Sequence, residues 1–238
     1  LVTYLCGPDS ALSQGGSSRV GLQVGEPGRG KILDFGETQS FIERPKELFS
    51  RAAALIHAFQ QGKLPASSIR EEAKTRLLSP LPNPVSIRDG YAFRQHVESA
   101  RKGRGMPMIP EFDEFPVFYF TNHLAVTGPG EIKVLPRALE DLDFELEVAV
   151  VIGSEGRNIP ASHADEHIFG YMIFNDWSAR ALQRKEMKMN LGPAKGKDFA
   201  SSFGPYLVTR DELTAQRISG PSGERYDLSM KAFVNGKQ

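Results

Sequence analysis

Glu145, Glu147 and Asp176 are the residues of this 238-residue chain whose types and spacing best suit chemistry. In an extended strand, side chains alternate between faces. Within DFELEVAVVIG, Glu145 and Glu147 therefore share one face, ~7 Å apart, while Phe144, Leu146, Val148, Val150 and Ile152 share the other. The glutamate face continues as Ala149 and Val151, so the pair stands at the end of a buried surface. Buried like charges require a cation or a proton. Asp176 follows a second apolar strand, Ile168 to Phe174, and can turn toward the same point. Three such carboxylates suit a hard divalent ion (magnesium, manganese or calcium) better than zinc or copper. Without an ion, the same residues read as the polar face of an antiparallel strand and the N-cap of a following helix.

Two further stretches concentrate polar groups. In SIRDGYAFRQHVESARKGRG, Asp89, Tyr91, Arg94, Gln95 and His96 fall close together ahead of a helical pattern running to Arg104. His96 could act as a general base, since imidazole titrates near neutral pH. The plainer reading is a surface helix start with Asp89 as its cap and His96 in solvent. In LGPAKGKDFASSFGP, a lysine could neutralise an oxyanion or carbanion beside a metal, and Lys195 and Lys197 compete for that role. His163, Glu166 and His167 fit the H-x-x-E-H pattern of inverted zinc peptidases. Pro160 before them and a strand-like run after them leave little more than one helical turn, too short to present both histidines on one face.

The elements that must position these groups are readable from periodicity. RVGLQVG and KILDFG alternate as short strands around the turn GEPGRG. Leu48, Phe49, Ala52, Leu55, Ile56 and Phe59 recur at helical spacing, giving a helix over Pro45 to Gln61 ended by Gly62. Ser67 or Ser68 with Glu71 predicts a second helix ending near Leu78. The prolines of SPLPNPV place a boundary near residue 80, between a small α/β part (1–80) and a β-rich part (81–238). In the latter, PVFYFTN, KVLP, FELEVAVVIG, IFGYMIFND, SFGPYLV and LSMKAFVNG read as strands, which predicts an α+β, β-rich fold of sandwich or roll type.

Composition narrows the function classes. Twenty-nine basic residues balance twenty-nine acidic ones, which argues against nucleic acid or an anionic membrane as partner. No apolar run has the length of a membrane span, and the first residues lack the pattern of a signal peptide. Cys6 is the only cysteine, so no intrachain disulfide forms and a reducing, cytoplasmic location is expected. Cys6 also lies too far from any base to serve as a nucleophile.

Together, DGYAFRQH, FELEVAVVIG, EHIFGYMIFNDWSAR and LGPAKGKDF resemble the fumarylacetoacetate hydrolase superfamily over roughly residues 85 to 210. The resemblance implies that superfamily's mixed β-sandwich roll, with a small N-terminal domain. It implies a divalent metal, magnesium foremost with calcium or manganese as alternatives, on Glu145, Glu147, Asp176 and Asp89. It further implies His96 and Lys197 as catalytic residues, Tyr91, Gln183 and Tyr119 at the substrate, and a homodimer. The implied reaction is hydrolysis of a carbon–carbon bond in a β-diketo acid of fumarylacetoacetate, fumarylpyruvate or acylpyruvate type. The same centre also suits a 2-oxo acid decarboxylase, isomerase or dehydratase, or a metal-binding homologue without turnover. A substrate-binding arginine of the hydrolases has no clear counterpart, since Arg101 and Arg104 are both slightly out of place. The family continues past Gln238 into a Gly-Thr segment and a glutamate that orients the histidine, so the C-terminal part is expected to be incomplete.

Overall fold

The computed structural model describes residues 1–6, 18–36, 42, 44–220 and 223–238. The first sheet contains β1 (Val2–Leu5), β2 (Ser18–Val24) and β3 (Lys31–Gly36), followed by the helix α1 (Pro45–Gln60) and the short strands β4 (Ile69–Glu71) and β5 (Leu77–Leu78). Its order is β4-β3-β2-β1-β5, with each neighbouring pair antiparallel. All four residues of β1 are buried, because the sheet is covered on both faces. The β2–β3 turn needs glycine at two positions, Gly25 (φ +91°) and Gly28 (φ +82°), where an L side chain is strained. Pro45 opens α1, and Leu48 packs into the core with Val20, Leu22, Leu33 and Phe35.

The chain then passes through β6 (Ile87–Asp89), the helix α2 (Arg94–Lys102), β7 (Tyr119–Thr121), β8 (Val126–Thr127) and β9 (Leu142–Asp143). It continues through β10 (Leu146–Ile152), β11 (Ile168–Asp176), β12 (Ser178–Ala179), the helix α3 (Arg180–Glu186), β13 (Ser201–Phe203) and β14 (Val208–Thr209). The second sheet has the order β10-β11-β13-β8, with β14 also on β11. Its inner residues Val151, Phe169, Met172, Phe174 and Phe203, with Leu207 just before β14, belong to the same core cluster as Val20, Leu22, Leu33, Phe35 and Leu48. Phe174 stacks on Phe203 with ring centroids 4.4 Å apart. One apolar core thus runs between residues on either side of position 80, and Thr3 Oγ1 donates to the Pro80 carbonyl at 2.8 Å. The architecture is α+β and rich in strands. Among the described residues, no helix is long and apolar enough to cross a membrane.

Three elements differ from the sequence reading. In place of a helix from Ser67 or Ser68 to Leu78, the chain makes a 3-10 turn (Ala66–Ser68), β4, a second turn (Glu72–Lys74) and β5. Pairing to β3 and β1 outweighs the local capping signal, and Glu72 turns inward to accept hydrogen bonds from Gln23 and Tyr206. KVLP is not a strand, and Pro136 instead begins a 3-10 turn (Pro136–Asp141). Leu228 to Val234 has strand-like alternation, but among the described residues it forms no ladder beyond a single bridge from Val234 to Lys237. A hairpin the sequence did not reveal, β15 (Arg217–Gly220) with β16 (Gly223–Tyr226), precedes it.

Candidate metal centre

Antiparallel pairing of β6 with β7 sets Asp89 opposite Tyr119. The Tyr119 hydroxyl lies 2.9 Å from Asp89 Oδ2 and 2.9 Å from Asp176 Oδ2. It has one proton for two carboxylates, and burial together with those charges pushes its pKa far above the ordinary tyrosine value. Pairing of β10 with β11 brings Glu147 beside Phe174, and the Asp176 amide donates to the Glu145 carbonyl at 3.1 Å. As a result, carboxylate oxygens of Asp89, Glu147 and Asp176 lie within 4.8 Å of one another. Glu147 stands on the inward face of β10, with Glu145 just before the strand, whereas Val148, Val150 and Ile152 on the other face are exposed.

The electrostatics are those of a cation site. Burial, then the charges of Asp89, Asp176 and Glu145, push Glu147 up to about 8. Burial also raises Asp176 to about 7, although Lys197 works in the opposite direction. Burial opposes charge on Glu145 too, but Lys197 and Arg180 outweigh it and hold the carboxyl below its ordinary value. Asp176 is fully buried, and its Oδ1 has no hydrogen-bond partner among the described residues. A buried carboxylate oxygen left without a donor is costly unless something cationic meets it. Three hard oxygen donors and one partnerless oxygen fit a divalent cation.

Lys197 is 3 % exposed, with Nζ 2.7 Å from Glu145 Oε2 and 2.5 Å from Asp176 Oδ2, while Lys195 points to solvent. Of the two lysines, the structure brings Lys197 to the carboxylates. Asp176 closes β11 and does not cap α3, which begins at Arg180 after Ala179. Gln183 on α3 accepts from Arg180 Nη1 at 3.1 Å. His96 and Tyr91 are not gathered in. His96 is exposed on the first turn of α2, and Tyr91 stacks on Phe112 at 6.0 Å. The two histidines of the zinc-peptidase pattern also diverge: His163 Nδ1 meets Glu166 at 2.9 Å, and His167 Nδ1 meets the Ser154 carbonyl at 3.1 Å.

Two residues of the site were not found from the sequence. Arg180 bridges Asp143 (Nε to Oδ2, 2.8 Å) and Glu145 (Nη2 to Oε1, 2.8 Å), so it fixes the glutamate from the side away from Lys197. Its helical spacing of three residues from Gln183 was the available signal. Ser201 pairs in register with Asp176, and its buried hydroxyl has no partner among the described residues. Only the strand register reveals it.

The chain matches the family described as "Fumarylacetoacetate (FAA) hydrolase C-terminal" over residues 86–238. It is 27% identical to a fumarylacetoacetase of Oryza sativa, covering 83% of this chain and 56% of that protein. It is 33% identical to the oxaloacetate tautomerase YisK of Bacillus subtilis, covering 69% of this chain and 50% of that protein. The chain thus spans about half the length of these curated relatives. Among solved structures, it resembles maleylpyruvate hydrolase from Sphingobium (TM-score 0.57, 19% identity, 90% of this chain and 69% of that one). It likewise resembles 5-carboxymethyl-2-hydroxymuconate delta-isomerase from Mycobacterium smegmatis (TM-score 0.56, 23% identity, 88% of this chain and 66% of that one). With the strand-borne carboxylates and the buried lysine already in place, the match over residues 86–238 shows that this chain belongs to the fumarylacetoacetate hydrolase family.

Proposed function

We propose that the chain forms the metal-binding part of an enzyme that hydrolyses a carbon–carbon bond in a β-diketo acid of fumarylacetoacetate, fumarylpyruvate or acylpyruvate type. The observation that supports this reading is Asp176 Oδ1, without a hydrogen-bond partner among the described residues, in a carboxylate triad adjoining a buried ammonium group. Of the four expected ligands, Asp89, Glu147 and Asp176 would hold a divalent cation, magnesium on this reading, while Glu145 is engaged by Lys197 and Arg180; the ion would supply charge to polarise a substrate carbonyl. Lys197, already desolvated, faces negative charge as it develops on the reacting oxygen. On this reading Tyr119, Gln183 and Tyr91 contact the substrate, Tyr119 also holding the two aspartates, and His96, which stands exposed on the first turn of α2, takes a proton from the attacking water. The same reading makes the protein a cytoplasmic homodimer, supported by the exposed apolar stripe of Val148, Val150 and Ile173.

A second reading is proton transfer next to a carbonyl, as in a tautomerase or isomerase, or decarboxylation. It is favoured by the exposed position of His96 on the first turn of α2. The decisive experiment follows ultraviolet absorbance of acylpyruvates, fumarylpyruvate, fumarylacetoacetate and oxaloacetate with magnesium or manganese, then with EDTA, on wild type and His96→Ala. Metal-dependent loss of diketo acid that disappears in the variant supports hydrolysis. Enol–keto exchange of oxaloacetate that survives in His96→Ala supports the second reading, and bound metal without turnover supports a non-catalytic homologue.

A further inference from the structure

We infer that Glu186 is the positioning residue that holds Lys197 against the carboxylates. The inference rests on the reading that Lys197 serves the chemistry above. Glu186 ends α3 and is 8 % exposed. Its Oε1 accepts the backbone N–H of Ala194 at 2.9 Å and of Gly196 at 3.0 Å. The Gly196 carbonyl in turn accepts the Ala179 N–H at 2.8 Å, from the residue just before α3. The loop that delivers Lys197 is therefore tied to both ends of the helix that carries Arg180 and Gln183. Within the loop, the N–H groups of Lys197 and Asp198 both close on the Ala194 carbonyl at 2.9 Å. Lys197 follows the doubly tied Gly196 directly, so its backbone has little freedom and its ammonium is delivered to one place.

Two observations show that this tie is built. A carboxylate at a nearly buried helix end costs free energy unless its charge is met. Among the described residues no lysine or arginine pairs with Glu186, and its hydrogen-bond partners are the loop amides alone. Charge-assisted bonds of this kind are about twice as strong as neutral ones. The close approach also demands glycine: a Cβ on Gly196 would fall 2.7 Å from Gln183 Cβ and 2.9 Å from Glu186 Oε1.

The test reads Lys197 directly, without substrate. Lysine acetylation by trace acetic anhydride is followed site by site by mass spectrometry on the whole protein, with Lys74 and Lys133 as internal standards. Wild type should acetylate Lys197 slowly, because the amine is buried and ion-paired. Glu186→Ala should acetylate it about tenfold faster or more, reflecting local opening of the loop. Glu186→Gln, whose amide oxygen still accepts both N–H groups, should restore slow labelling. Gly196→Ala, which pushes the loop off the helix from the other side, should also speed labelling at Lys197 if Glu186→Ala does not fold. Folded Glu186→Ala or Gly196→Ala protein that labels Lys197 at the wild-type rate would overturn the inference, as would Glu186→Gln labelling as fast as Glu186→Ala. None of these readouts depends on which acid, if any, is turned over, so a failure here is separable from a failure of the proposed reaction.

Discussion

Asp176 and Ser201 face one another across antiparallel β11 and β13, and each presents a buried oxygen without a partner among the described residues. Register partners of this kind hold their Cβ atoms about 4.5–5.5 Å apart. A bound cation with its water would satisfy both oxygens at once. Asp176→Asn should abolish measurable manganese binding by calorimetry, whereas Ser201→Ala should weaken it by about 1 kcal/mol, the worth of one hydrogen bond. Unchanged affinity in Asp176→Asn would place the ion elsewhere.

Lys197 is the buried cation that Asp176 and Glu145 share. Lys197→Met should cost roughly 3–5 kcal/mol, the range for orphaning a buried charge. The lower end applies because the Asp176 carboxyl, already raised to about 7, can take up a proton instead. Urea denaturation of wild type and variant reads this directly. Part of the loss should return with saturating manganese, about 2.7 kcal/mol at a hundred times the dissociation constant. A loss under about 1 kcal/mol would mean that the pair is solvated.

Gly90 follows Asp89, and a Cβ there would lie 2.3 Å from the Val117 carbonyl oxygen. Gly90→Ala must therefore push the end of β6 away from β7 and carry Asp89 away from Tyr119. Manganese affinity should fall about tenfold by calorimetry, within the range seen when a ligand's support is lost. Gly105→Ala is the control, since nothing lies within 4 Å of a Cβ there and its φ of +69° confines any strain to the turn after α2. Equal effects at both positions would assign the loss to general strain.

Glu72 gives a pH signature remote from the carboxylate triad. Burial opposes its charge, but hydrogen bonds from Tyr206, the Gly28 amide and Gln23 hold its carboxyl below the ordinary value of 4.5. A carboxyl depressed in the folded state contributes stability above its unfolded pKa and loses it as pH falls through the folded value. Glu72→Gln should therefore lose about 1–3 kcal/mol at neutral pH and show a flatter stability curve below about pH 4.5. Parallel acid limbs for wild type and variant would contradict this.

The most legible parts of the sequence were those where one periodicity acts alone. The helix from Pro45 and the strands around Glu147 and Asp176 follow from spacing, since a residue's face is set by its own strand or helix. Glu71 and the serines before it misled because a capping pattern of a few tenths to about 1 kcal/mol yields to pairing with β3. Leu228 to Val234 misled for the opposite reason: alternation is necessary for a strand, but a partner must also exist. Asp89 could be placed beside Asp176 only by resemblance, because Tyr119, which links them, sits on a third element. Ser201 was missed because its role depends on which strand lies next to β11, and Arg180 because its spacing from Gln183 does not name its partners Asp143 and Glu145, which lie on other elements.

The apolar core that joins the two sheets has a thermal consequence. Phe174 lies two residues before Asp176 and Phe203 two after Ser201, and both belong to the cluster that includes Leu22, Leu33 and Leu48. Packing shared in this way gives the carboxylate corner no separate melting of its own. On warming, grip on the ion should stay nearly constant until the whole chain gives way, then vanish with it in the same transition.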